Sequence, residues 1–156
     1  LYLPVGGDKY IPLAGIAVRT LTRLIDTELY QEKAYLASGL IVENGAIQRM
    51  EGSSNTYCAM AGCGNDLLQV ASIFGQEAFE KVDMDALDAV AELLNCINGL
   101  HASALSQDGI SMELMPPEYS AELTKMNCEE MLVLPLHMKG SKVNFLMAID
   151  HKIEMD

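Results

Sequence analysis

Residues Asp88 to Ser103 read DAVAELLNCINGLHAS. At about 100° per residue, Leu87 (just before the stretch), Val90, Leu94 and Ile97 share one arc, with Ala86 and Leu93 beside it. That periodicity predicts a long helix, N-capped by Asp83 and running to about Ser106. One apolar arc on a helix this long needs a broad partner, and the flanking segments supply strands. The other side of the helix is odd. Asp88, Glu92, Asn95 and Gly99 fall within roughly 60° of one another on the wheel. Asn is a poor mid-helix residue, and Gly costs about 1 kcal/mol against Ala there. Asn98 adds a second poor helix former, and a solvated face would take Glu, Lys or Gln instead.

Outward from that helix the pattern repeats. Leu13 to Gln31 has helical spacing at Ile16, Thr20, Leu24 and Leu29, with Pro12 at the first turn. KAYLASGLIVENGAIQRMEG then brings in branched and aromatic residues, and Asn44-Gly45 predicts a tight turn between two strands. NTYCAMAGCG reads as a third strand ending in glycines. Asn65 to Gly75 reads as a short helix capped by Asn65 or Asp66 and closed by Gly75. After the long helix, DGISMELMP is a strand ended by prolines. MLVLPLHMKGSKVNFLMAID is two strands around Lys139-Gly140-Ser141. Tyr119 to Glu130 is polar and reads as a loop. A long helix followed by three strands thus occurs twice. The expected fold is α/β: a duplicated helix plus three-strand unit, with a largely antiparallel six-stranded sheet and long helices packed on it.

A length of 156 residues, half of them hydrophobic, with mean hydropathy +0.15, suits one domain over 1–156. The start at Leu1 in mid-pattern suggests a domain cut from a longer protein. No apolar run reaches the roughly 20 residues of a membrane span, and no signal peptide is legible, so a cytoplasmic location is expected. Lys plus Arg is 10 against 22 Asp plus Glu, a net −12. That charge opposes nucleic-acid binding and docking on anionic lipid. Cys58, Cys63, Cys96 and Cys128 lack zinc-site spacing, and reduced thiols are expected. Gly62-Cys63-Gly64 lacks the glycine spacing and the GK[ST] of a phosphate loop, so it reads as a turn. Met112, Met115, Met126, Met131, Met138 and Met147 read as core filling. His101 lies on the apolar arc and reads as a hydrogen-bonded core or edge histidine.

Asp88-x-x-x-Glu92-x-x-Asn95, then Ile97-x-Gly99 and Pro116-Pro117 after the next strand, resembles the CheC–CheX–FliY group of chemotaxis phosphatases. Their signature is an acidic or serine residue, then ExxN, then a proline some twenty residues on. The resemblance is specific over about Asp83 to Pro117 and architectural elsewhere. Two features depart from it. Leu100 follows Gly99, where a polar residue is common, and the first long helix carries no ExxN. One site per chain is the CheX pattern; CheC has two.

The resemblance implies dephosphorylation of the phospho-aspartate of a CheY-like receiver domain in two-component signalling. Placing a water in line matters most in such a loose transition state. A neutral amide that donates and accepts suits that task, which assigns Asn95 the water. Glu92 would hold the receiver by pairing with its active-site lysine. Gly99 would permit close approach, and Asp88 would support binding. Mg²⁺ would sit on the receiver, so no cofactor or metal of the chain's own is implied. A homodimer is implied as well. The alternatives are a non-catalytic module that binds or regulates a phospho-receiver, and an assembly role with the stripe buried in a dimer.

Overall fold

The computed structural model describes residues 2–156, so the reading of the chain's start at Leu1 lies outside it. Helix α1 spans Ile11–Leu24, with Pro12 in its first turn. It stops seven residues short of the expected Gln31, and Asp26 supplies the reason. The Ile25 and Asp26 amides both donate to the Leu21 carbonyl. The Asp26 carboxylate then accepts from the amides of Glu28, at 2.9 Å, and Lys139, at 2.7 Å. A short acidic side chain that bonds nearby backbone offers the chain an exit from the helix. Tyr30–Gln31 becomes β1 instead, paired with His137 and Leu136.

Strands β2 (Tyr35–Val42), β3 (Asn44–Gly52) and β4 (Thr56–Gly62) follow. Asn44-Gly45 is not a hairpin turn: both residues lie within β3, paired with Gly62 and Ala61. Gly45 is small for packing, since a Cβ there would meet the Met60 carbonyl and Met126 Cε, each at 3.0 Å. Helix α2 is Leu68–Gly75. Neither Asn65 nor Asp66 caps it; Leu67 holds the N-cap position, and Asp66 accepts from the Cys63 amide in the preceding turn. Gln76, at φ 51°, takes the left-handed closing position. Gly75 is needed for close approach, a Cβ there lying 3.3 Å from Ala89 Cβ on the next helix.

That next helix, α3, runs Met84–Gln107, and the Asp83 carboxylate caps it by accepting from the Ala86 amide at 3.0 Å. Strand β5 is Met112–Leu114. The stretch 119–130 is not a loop. It holds β6 (Glu118–Ser120) and the first half of β7 (Thr124–Met138). Thr124, Met126 and Cys128 are buried there in alternation with more exposed neighbours, so its polar residues mark one solvated face of a strand. Strand β8 (Ser141–Ile149) follows a tight turn with positive φ at Lys139 and Gly140, and β9 (Glu154–Met155) ends the chain.

All these strands form one sheet in which every pair is antiparallel. Its path is β1-β7-β8-β4-β3-β5, with β2 and β9 on β7 and β6 on β3. The two units are interleaved about the central β4–β8 pair. The first strand of each unit crosses to the other: β2 pairs with β7, while β5 and β6 pair with β3. This exchange is why β2 and β3 make no hairpin.

Alternation in the central strands builds two cores. Cys58 and Met60 of β4 and Phe145 and Met147 of β8 face the helices, where α3 buries Leu87, Val90, Leu94 and Ile97. Tyr57, Ala59, Leu146 and Ala148 face the other way, under Ile153 and Met155 of the C-terminal segment. Met126, Met131, Met138 and Met147 are buried, while Met112 only packs against the helix-side core. Among the described residues, no helix is long and apolar enough to cross a membrane.

Candidate functional site

Because α3 packs its apolar arc on the sheet, its other side is free. Asp88, Glu92 and Asn95 are exposed there, and Gly99 is half-buried with nothing within 4 Å of where a Cβ would stand. The four predicted site residues therefore share one open face. Asn98 separates from them: it is fully buried on the sheet side of the helix.

Strand β3 explains the buried asparagine. Ala46, Gln48 and Met50 share the face of β3 turned to α3, and Gln48 is 1% exposed among apolar neighbours. Its side chain joins three elements. Nε2 donates to Asn95 Oδ1 at 2.7 Å and to the Met115 carbonyl at 2.8 Å. Oε1 accepts from Asn98 Nδ2 at 2.8 Å. The amide that ends the ExxN pattern is thus tied from beneath, and the segment leading into Pro116-Pro117 is drawn to the same point. Sequence reasoning missed Gln48, although an amide at an inward, period-two position between Ala46 and Met50 was the available signal. It also missed Tyr119 of β6, whose hydroxyl lies 3.5 Å from Asp88 Oδ1.

Glu92 makes no hydrogen bond or ion pair among the described residues. Its carboxylate is available to an outside cation. Leu100 is 45% exposed and lines a groove between α1 and α3 with Ile16, Arg19, Arg23 and Ala104. His101 is buried, but its Nδ1 has no hydrogen-bond partner, contrary to the expected bonded histidine, and burial holds its pKa below the ordinary value. Among the described residues, no group of three His, Cys, Asp or Glu side chains could hold a metal ion.

The chemistry of this face is limited and specific. It offers two carboxylates, one amide held by its oxygen and a flat spot, with no Lys or Arg in the stripe. Such a surface repels a bare phosphoryl group, so any phosphoryl group brought here must arrive already neutralised by its own cation and lysine. The stripe also stands on a helix surface. A cavity of about 390 Å³ lined by Ile47, Arg49, Tyr57, Met115, Pro116 and others opens on the opposite face of β3. An open helix face suits a macromolecular partner better than a small ligand.

No protein-family model matches the sequence, and no curated protein does. Solved structures do match. A chemotaxis protein CheX from Desulfovibrio desulfuricans aligns over 90% of this chain and 97% of its own, with TM-score 0.74 and 14% identity. A CheC-like superfamily protein from a Shewanella species aligns over 88% and 94%, with TM-score 0.75 and 16% identity. CheX from Borrelia burgdorferi, solved as a CheX-CheY-BeF3-Mg complex, aligns over 88% and 95%, with TM-score 0.70 and 21% identity. The chain thus has the fold of the CheX and CheC-like chemotaxis proteins, with nine strands among the described residues in one antiparallel sheet where six were expected.

Proposed function

We propose that this chain is a phosphatase domain that removes the phosphoryl group from the phospho-aspartate of a CheY-like receiver. The observation that carries the reading is Asn95, exposed on α3 with its amide anchored by Gln48, one turn from an unpaired Glu92. The shared fold with a CheX solved in complex with CheY supports the choice of partner.

In this reading Glu92 pairs with the receiver's active-site lysine and sets the docking register. Gly99 lets the receiver surface come close, and Asp88, beside Tyr119, supports the contact. Asn95 holds a water in line with the phosphorus. The water oxygen bonds to phosphorus, the bond from phosphorus to the aspartyl oxygen breaks, and the aspartate leaves as carboxylate. Both of the water's protons leave with the released phosphate, as dihydrogen phosphate. The Mg²⁺ for this step belongs to the receiver, and the chain supplies orientation, which can contribute several kcal/mol to lowering the barrier. The free outer side of β2, with Tyr35 and Ile41 exposed, offers a surface for the homodimer that the proposal includes.

The test is loss of labelled phosphate from a panel of phosphorylated receivers with and without the protein. Faster loss from at least one receiver supports the phosphatase. The exposed apolar Leu100 favours a second reading, a non-catalytic module that binds the phospho-receiver. Binding without faster phosphate loss would establish that reading instead.

A further inference from the structure

Resting on the phosphatase reading, we propose that Gln48 is a positioning residue for Asn95: it fixes which end of the amide faces the receiver. An exposed asparagine has a soft two-fold torsion at its amide, and the two ends have opposite hydrogen-bonding character. Left alone, it would present oxygen and NH₂ in turn. Here the choice is set by a group that cannot turn over, the backbone carbonyl of Met115.

The constraint runs through three hydrogen bonds. The Met115 carbonyl demands a donor, so Gln48 must direct Nε2 toward it. The same Nε2 reaches Asn95 Oδ1, at 2.7 Å. Asn98 Nδ2 donates to Gln48 Oε1 and holds the other end. Turning Gln48 over would set its oxygen against the Met115 carbonyl and Asn95 Oδ1, and its NH₂ against that of Asn98. Asn95 and Asn98 could turn over with it, since Asn98 Oδ1 has no partner of its own, but the Met115 carbonyl could not, and at 1% exposure no bulk water is at hand to repair that mismatch. Asn95 Oδ1 therefore points inward and Nδ2 faces solvent. A water taken by an Nδ2 hydrogen gives up one lone pair and keeps the other for the phosphorus.

Three measurements test this with the intact chain. The first needs no variant: the Asn95 side-chain amide should be as ordered by NMR relaxation as the α3 backbone. Order typical of a free surface asparagine would overturn the proposal. The second uses Gln48→Met, which keeps the length and removes all three bonds. Phosphate loss at saturating receiver should fall roughly 10- to 100-fold. The Kd for a beryllofluoride-loaded receiver should not change. A purely structural role for Gln48 would instead raise that Kd and leave the saturated rate intact, and that outcome overturns the proposal. The third adds Gln48→Met to Asn95→Ala. No further loss is expected if Gln48 acts through Asn95, and an additive loss is evidence against it. A loss with Asn95→Ala but none with Gln48→Met overturns this inference alone. No loss with either overturns the phosphatase reading beneath it.

Discussion

Asn95 was legible from the sequence because it offends a helix rule in company. An asparagine beside Glu92 and Gly99 on one exposed face has no packing reason, and the structure puts all three on that face. Its anchor was not legible, because Gln48 is remote in sequence and meets Asn95 only after β3 and α3 have packed. Asn98 shows the same limit. It looked like a further flaw in the helix and is a buried hydrogen-bond donor to Gln48. Gly99 separates fold from function at this scale. Its site is open, so Gly99→Ala should stabilise the protein by about 0.5–1 kcal/mol, read as a higher denaturation midpoint. The larger Gly99→Gln should fold equally well yet weaken binding of a beryllofluoride-loaded receiver, measured by titration calorimetry. Unchanged affinity would remove Gly99 from the docking surface.

At the scale of elements, α3 was read almost to the residue, because a capped, strongly periodic helix carries its own boundaries. Asp83→Ala should cost about 1 kcal/mol through loss of the bond to the Ala86 amide, measured by urea denaturation. Leu94→Ala, fully buried against the sheet, should cost about 2–5 kcal/mol in the same experiment. The misread elements fail for one reason, which is that tertiary pairing overruled local signals. Asn44-Gly45 is a strong hairpin signal, but β2 is committed to β7, so the chain stays extended through it. Residues 119–130 look like a loop until the pairing of β6 with β3, and of β7 with β2, makes them strands. The end of α1 follows from Asp26, whose bond to the Lys139 amide comes from the far unit and has no trace in the local pattern.

The whole molecule was legible as a doubled unit, although the exchange of first strands between units was not. That exchange makes each half depend on the other, so unfolding should be a single cooperative transition, with fluorescence and circular dichroism coincident. His101, where the long helix packs, gives the fold a pH response. Burial lowers its folded-state pKa below the unfolded value of about 6.5, so folding favours the neutral imidazole. The associated stability is present above that pH and is lost as pH falls through the folded pKa. Between pH 7 and 5 the wild-type melting temperature should therefore drop more than that of His101→Gln; equal drops would mean that the imidazole is not desolvated. The carboxylates of Asp26 and Glu32, held low by hydrogen bonds, add to the loss only at lower pH.

In the proposed phosphatase, all three scales serve to hold one amide at a receiver's phosphoryl group. Single-turnover loss of phosphate from a saturating phosphorylated receiver, compared between wild type and Asn95→Ala, decides it. A fall of roughly 100-fold, to near the receiver's own decay rate, with receiver binding retained through Glu92, is expected. Equal rates for the two proteins would refute it.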